Sequence, residues 1–262
     1  MNQTSTVTPA ERQRRILEIA LIERFVRVKD LAHSIGTHEM TIRRDLQELA
    51  ERGLLERRYG GASLTKQNDD EIAYGLRVAQ QTQAKARIAR AALDLIQDGD
   101  AIGLDASTSA LALAQIIALR SVNVVTTGLD AANTLAGKNV PFTLAGGTFH
   151  ARARSFVGGT VGAALAKFNL DIVFFSAKGF TPEAGFTDAH IPEVEAKEQL
   201  IAAGRMVVVL LDHAKFDTKA LSRIVRLDQV QIVITNQTPN EATQKALERA
   251  KVRLIVTPEE TA

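Results

Sequence analysis

Two groups of side chains in this sequence have the types and spacing to hold phosphate. The first is an arginine pair, Arg43 and Arg44, in the run Thr41-Ile42-Arg43-Arg44-Asp45-Leu46-Gln47. A guanidinium either bridges O6 and N7 of guanine or clamps a backbone phosphate, and the sequence leaves open which of these each arginine does. Thr41 stands beside them, with His38 and Gln47 behind. Arg57, Arg58 and Tyr59 lie in a second short segment and suit phosphate contacts. The second group is Asp105-Ala106-Ser107-Thr108-Ser109, where hydroxyls and backbone N–H groups at a strand-to-helix turn can cradle an anion. Lys178, Lys197 and Lys215 are the cations available to neutralise it as point charges. Each feature also has a plainer meaning. Paired arginines decorate many solvated helices, Ser and Thr cap most helices they precede, and a lysine near Asp212 or Asp217 can simply pair with it. The surrounding elements decide between the two.

For the arginines those elements are complete. Residues 9–22 carry Ile16, Leu17, Ile19 and Ala20 at helical spacing after the Thr8-Pro9 start signal. Val26-Arg27-Val28 alternates as a short strand, and residues 29–35 form a helix with Leu31, Ala32 and Ile35 inward. Gly36 turns the chain, and Thr37 is placed to cap the next helix. That helix buries Ile42, Leu46 and Leu49, which leaves His38, Glu39, Thr41, Arg43, Arg44, Gln47 and Glu48 pointing outward. Gly53 ends it, and residues 54–64 form a hairpin closed by Gly60-Gly61. Helix, strand, helix, turn, helix, hairpin is the order of a winged helix-turn-helix, which sets its last helix in the DNA major groove. Lysine and arginine only slightly outnumber aspartate and glutamate between Pro9 and Leu64. Non-specific affinity is therefore modest, and binding as a dimer or tetramer has to supply the rest.

The polar, aperiodic stretch after the hairpin reads as a linker over residues 65–75, between a DNA-binding domain at 1–64 and a larger domain at 76–262. The larger domain opens on a helical pattern at 79–96. Apolar strands follow at 101–104, 122–126, 142–145, 172–177, 206–211, 232–235 and 254–257, alternating with helical patterns at 108–119, 130–136, 160–168, 193–203 and 240–250. Continuous apolar runs such as Val207-Val208-Val209-Leu210-Leu211 belong to strands buried on both faces. The fold class is therefore α/β, a mainly parallel sheet between helices behind a small winged helix-turn-helix. Lys178 and Lys215 emerge just past two of these strands, at the edge where such sheets bind ligands.

A length of 262 residues suits two domains, and 45% apolar residues supply a sizeable core. With no cysteine, disulfides, thiolate metal sites and cysteine nucleophiles are excluded. The polar start lacks a signal-peptide core, and no apolar run approaches the ~18 residues of a membrane span, so a cytoplasmic protein without membrane partners is expected. His190 and His213 show no metal-ligand spacing with an acid, and neither metal nor cofactor is expected. His150, Arg152 and Arg154 follow paired glycines and reach either the anion site or an oligomer interface.

The Thr41–Leu49 run with its Gly60-Gly61-Ala62 ending resembles the signature of the DeoR family of bacterial repressors, a TIRRDL helix followed by a GGA-ended wing. The resemblance continues along nearly the whole chain. Leu104-Asp105-Ala106-Ser107-Thr108-Ser109 stands where the family has Asp-Ser-Gly-Thr-Thr, with Ser107 at its glycine position, where a side chain either crowds the ligand or adds a donor. Thr126-Thr127-Gly128-Leu129, Ser155-Phe156-Val157-Gly158, Glu195-Ala196-Lys197 and Asp212-His213-Ala214-Lys215-Phe216 match further family elements. Such domains are similar in fold to ribose-5-phosphate isomerase and glucosamine-6-phosphate deaminase. The resemblance implies that a phosphorylated sugar, held by Asp105, Ser107, Thr108, Ser109, Thr127, Lys178, Lys197 and Lys215, releases the protein from double-stranded operator DNA upstream of carbohydrate genes. The related isomerases carry acids where this chain has Ser176-Ala177-Lys178-Gly179, so a sensor is expected rather than an enzyme. An active isomerase or deaminase joined to a DNA-binding module, and an activator in place of a repressor, are the alternatives.

Overall fold

A computed structural model describes residues 8–64 and 69–257, with side chains from residue 72 onward in the second stretch. The chain divides into two compact units, Met1–Gln80 and Gln81–Ala262.

In the first unit, α1 (Pro9–Glu23) starts at Thr8, whose hydroxyl accepts a 3.3 Å hydrogen bond from the Glu11 N–H. β1 (Phe25–Arg27) and α2 (Val28–Ile35) follow, and a left-handed Gly36 turns the chain toward α3 (Glu39–Glu51). His38, not Thr37, is the N-cap of α3, and it makes no side-chain capping bond. At the other end, the Gly53 N–H reaches the Ala50 carbonyl and the Leu54 N–H reaches the Leu49 carbonyl, a pair of bonds that satisfies the last open carbonyls. β2 (Glu56–Arg58) and β3 (Gly61–Ser63) form the wing, with β3 in the middle of an antiparallel sheet ordered β1-β3-β2. Two adjacent glycines make this possible. Gly60 takes φ +75° at the turn, and a Cβ on Gly61 would lie 2.0 Å from the Val26 carbonyl oxygen of β1.

Ile16, Ala20, Leu31, Ile42, Leu46, Leu49 and Leu55 fill the core of this unit. α4 (Asp69–Ala79) adds Ile72 and Leu76 to it. Most of the stretch expected to be a linker is therefore helical. Its residues 65–68 lie outside the described ones, and from Asp69 the chain belongs to the DNA-binding unit rather than to a tether. Ile72 and Leu76, one turn apart, supply the apolar face that the polar neighbours obscure.

The second unit starts with α5 (Thr82–Leu93), after Gln81 in a left-handed conformation at φ 53°. β4 (Ala101–Leu104) leads to α6 (Thr108–Ala114), which is shorter than its pattern suggests because the chain tightens into a 3₁₀ turn at Ile117–Leu119. Next come β5 (Asn123–Thr126), α7 (Leu129–Gly137), β6 (Phe142–Leu144), β7 (Thr148–His150), β8 (Ser155–Val157), α8 (Gly159–Leu165) and β9 (Leu170–Phe175). After β10 (Gly179–Thr181), β11 (Gly185–Asp188) and α9 (Ile191–Ala202), the chain closes with β12 (Gly204–Leu210), β13 (Ser222–Val225), β14 (Ile232–Thr235), α10 (Glu241–Arg249) and β15 (Arg253–Val256). Seven strands pair in parallel in the order β15-β14-β12-β9-β4-β5-β6.

Residues on these strands alternate between two cores. Val173, Phe175, Val207, Val209 and Val233 enter one with Val161, Leu165 and Leu200 from α8 and α9. Ile172, Phe174, Val208, Leu210 and Ile234 enter the other with Ile88, Leu113 and Leu135 from α5, α6 and α7. A period of two with both faces apolar is the pattern of a covered parallel sheet, so the α/β class stands on the sheet itself. Two antiparallel additions were not legible in the sequence: the β7-β8 hairpin and a three-stranded sheet ordered β10-β11-β13. Among the described residues, no helix is long and apolar enough to cross a membrane.

Candidate DNA-reading helix and effector site

The outward face of α3 is the one predicted. Arg43, Arg44 and Gln47 are exposed, and each rests on an acid one turn away: Glu39 at 3.3 Å, Glu48 at 3.3 Å and Glu51 at 3.0 Å. Exposed pairs of this kind are weak and salt-screened, so phosphate or base edges can displace them at little cost. His38 is exposed at the start of the helix and Thr41 is half-buried beside Ile42. In the wing, Arg58 is exposed and pairs with Glu56 at 2.9 Å, while the Tyr59 side chain is fully exposed at the tip. Arg57 differs from the other two. It is half-buried and donates to the Gly61 carbonyl at 3.0 Å, bracing the turn that presents its neighbours.

A residue the sequence reading passed over holds this helix in place. Asp45 is 3% exposed and accepts from Arg12 Nε at 2.5 Å and Arg12 Nη2 at 3.0 Å, which ties α3 to α1. The hydrogen bond that Arg12 donates to Asp45 raises its pKa; burial opposes the rise, and the charges of Asp45 and Glu48 add to it. Gln13 donates to Glu48 at 2.7 Å along the same seam. The signal was present in the sequence, since Asp45 shares the inner stripe of Ile42, Leu46 and Leu49.

In the second unit, strand order reverses between β4 and β9: β5 and β6 extend one way from β4, and β9, β12, β14 and β15 the other. Such a reversal opens a crevice at the C-terminal ends of the strands. Asp105 follows β4 there and accepts from the Ser176 N–H, just after β9, at 3.1 Å. It also accepts from the Ser107 N–H at 3.1 Å and the Ser107 hydroxyl at 2.5 Å. The Ser107 hydroxyl in turn accepts from the Ala110 N–H at 3.1 Å and caps α6, so the plainer capping role exists alongside any ligand role. Ser109 is fully buried, and its hydroxyl has no hydrogen-bond partner among the described residues. Thr127 is buried after β5, where its N–H reaches the Leu104 carbonyl at 3.3 Å.

Lys197 is the hub of the crevice. It is 6% exposed and donates to Asp188 at 2.8 Å and to the Ser176 carbonyl at 2.8 Å, with Asp105 at 3.5 Å. Burial favours the neutral amine, but Asp105, Asp188 and Glu193 outweigh it and hold the ammonium above the usual lysine range. For Asp188, burial pushes upward, while Lys197, Lys178 and the Ala189 N–H prevail and leave its carboxyl below the ordinary carboxylate value. Lys215, half-buried, donates to the Ser176 hydroxyl at 3.0 Å and pairs with Asp212 at 3.2 Å. Lys178 is exposed at the same edge. The crevice thus gathers Asp105, Ser107, Lys197 and Lys215 around Ser176, adding Asp188 and Ser176 to the predicted set.

The β7-β8 hairpin closes one side. Its Phe156 N–H reaches the Thr127 carbonyl at 2.8 Å, and Arg154 pairs with Asp130 of α7 at 2.8 Å. His150 stacks on His190 with ring centroids 3.9 Å apart, and the His150 Nδ1 lies 3.1 Å from Glu193, so the hairpin brings a distant histidine onto the His190 and Glu193 pair at the start of α9.

Comparison with known proteins agrees with this division. A profile of the DeoR-like helix-turn-helix domain matches residues 12–68, and one of the DeoR C-terminal sensor domain matches residues 80–237. The HTH-type transcriptional regulator YulB of Bacillus subtilis is 32% identical over 250 residues, which cover 95% of this chain and 97% of the relative. The glycerol-3-phosphate regulon repressor of Escherichia coli is 29% identical over 246 residues, covering 93% and 97%. Among solved structures, ribose 5-phosphate isomerase A from Methanocaldococcus jannaschii overlays 52% of this chain and 55% of its own, at 17% identity and a TM-score of 0.41. With reading helix and sensor matched in the same order along nearly its full length, this chain belongs to the DeoR family of transcriptional regulators.

Proposed function

We propose that this protein represses a carbohydrate-metabolism operon by binding its operator as a dimer or tetramer in the cytoplasm, and that a phosphorylated sugar in the sensor crevice releases it. The observation that carries the effector reading is the cluster of Lys197, Lys215 and Lys178 with the Ser107 and Ser176 hydroxyls at the reversal point of a parallel sheet. Lys197 is buried between Asp105 and Asp188 and positions the crevice, while the half-buried Lys215, paired with Asp212, and the exposed Lys178 are the cations within reach of an incoming oxyanion. Arg43, Arg44 and Gln47, with Thr41 and His38, face the base edges, and Arg58 and Tyr59 face the backbone from the wing. The effector switches the repressor only if it binds the DNA-competent and DNA-released states with different affinity.

The same crevice supports a sensor without turnover. An isomerase needs a carboxylate poised to take a proton next to a carbonyl, and Asp105 is buried with its oxygens engaged by Ser107, Ser176 and Lys197. A thermal melt against sugar phosphates, each paired with its unphosphorylated sugar and a sulfate control at equal ionic strength, tests the reading. An effector at 100 times its Kd adds about 2.7 kcal/mol. A shift with one phosphorylated sugar, together with loss of operator binding in a gel-shift assay, is expected. A shift only with unphosphorylated compounds overturns the phosphate reading, and turnover of an aldose phosphate overturns the assignment as a non-enzyme.

A further inference from the structure

We propose that His150, His190 and Glu193 form a binding site for a divalent transition-metal ion of the Zn2+, Co2+ or Ni2+ type. Two elements supply the three: His150 ends β7, while His190 at the N-cap and Glu193 in the first turn both belong to the start of α9. One donor atom from each lies within 4.8 Å of the others, the one such triad among the described residues.

Tetrahedral donors on bonds of about 2.0–2.2 Å stand about 3.4 Å apart. His150 Nδ1 and Glu193 Oε1, at 3.1 Å, already have that spacing. His190 is the ligand that must move. Its ring lies 3.9 Å from that of His150 at an interplanar angle of 5°. Parallel rings aim their in-plane lone pairs side by side, so His190 has to turn about its side-chain bonds for both to converge on one ion. Nothing hydrogen-bonded opposes that turn at its Nδ1, which is sealed from solvent and has no partner among the described residues. A buried nitrogen without a partner is costly, and a cation would satisfy it.

The carboxylate is prepared as well. Glu193 is 6% exposed and accepts a short hydrogen bond from the Ser155 hydroxyl of the facing hairpin strand, the kind of outer contact that orients a metal-bound carboxylate. Two imidazoles and one carboxylate suit borderline ions such as Zn2+, whereas Ca2+ and Mg2+ prefer all-oxygen sets. Three protein donors leave at least one coordination position for water or an oxygen of a small molecule. The site does not depend on the effector reading.

The test uses full-length, tag-free, chelator-treated protein titrated with ZnCl2 by calorimetry and with CoCl2 by visible absorption. One ion per chain is expected, with Co2+ bands showing nitrogen and oxygen ligation. His190→Ala should weaken Zn2+ binding at least about tenfold, the lower end of what loss of even an outer ligand partner costs. This variant removes no hydrogen bond seen at Nδ1 but loses the ring stacked on His150, so a metal-free melt checks its fold, and His190→Asn serves as the second variant if that melt falls. No binding by the parent, or equal stoichiometry and affinity in the parent and in the histidine variants, overturns the proposal.

Discussion

Arg12 and Asp45 join the first helix of the DNA-binding unit to its reading helix through two hydrogen bonds of 2.5 and 3.0 Å, with Asp45 almost wholly buried. The pair sits between the arginines that face outward and the leucines that face inward, and it sets the rotation of the helix that presents Arg43 and Arg44. Removing Asp45 takes from the Arg12 guanidinium its buried carboxylate, and breaking a buried pair typically costs about 3–5 kcal/mol. Urea unfolding of Asp45→Ala should show a loss near the lower end, since Arg12 is not fully buried. Operator affinity should fall with it. An Arg12→Met, Asp45→Leu double variant should regain much of the stability, and failure to do so would mean the pair contributes more than its own desolvation.

The outward residues make a different prediction. Arg43→Ala should abolish operator binding and leave sensor thermal shifts intact, because Arg43 is exposed on α3 and pairs with Glu39 of the same helix. Arg58→Ala should weaken binding to all sequences alike and lower the slope of log K against log salt by about 1. Filter binding from low to physiological salt separates the two. If Arg43→Ala also loses its effector response, the division of labour between the units is wrong.

Wing geometry depends on Gly61. A methyl group there meets the Val26 carbonyl at 2.0 Å, and overpacking of this sort costs about 1–3 kcal/mol or more. Gly61→Ala should therefore destabilise the protein and weaken DNA binding, by chemical denaturation and gel shift. The same substitution at Gly75, where a Cβ meets nothing within 4 Å, should be well tolerated.

Stability should respond to pH through the buried pair. Asp188 has a depressed pKa in the fold, so its contribution is present above the unfolded value of about 3.9 and is lost as pH falls through the folded value. Lys197 has a raised pKa, so its contribution is complete below the unfolded value of about 10.4 and is lost as pH rises through the folded value. Asp188→Asn should thus be destabilised relative to the parent at neutral pH, and the gap should narrow below about pH 4. A gap that stays constant across that range would show that the ion pair is not what the substitution removed.

At the crevice, Ser107→Ala removes both the cap on α6 and the hydroxyl bonded to Asp105. Loss of the cap should lower stability by about 1 kcal/mol. A melt that also loses its response to the effector places the hydroxyl on the ligand, and an undiminished response leaves it a cap alone.

What the sequence showed depended on how local the cause was. The outward arginines followed from the spacing of Ile42, Leu46 and Leu49, and the strands of the parallel sheet from apolar runs such as 207–211. β7, β8, β10 and β11 are three or four residues long and rich in Gly, Thr and Phe, so no period had room to show, and their partners are set by tertiary packing. α4 was hidden because two leading aspartates outweighed Ile72 and Leu76 in the reading. The ionic hub and the histidine pair were illegible for a topological reason. Asp105 meets Ser176, and His150 meets Glu193, across 71 and 43 residues that only the sheet crossover brings together.

The central position of β4 also has a consequence in time. Its partner on one side is β5, but on the other it is β9, so the middle of the sensor sheet stays one-sided until residue 175 has been made. The core of the first unit, by contrast, is drawn wholly from residues up to Leu76. At about 5–20 residues per second, the ribosome needs several seconds to add the next hundred residues. During that interval a nascent chain holds the full complement of its DNA-binding core while the domain that responds to metabolism is still missing the strand that completes its crevice.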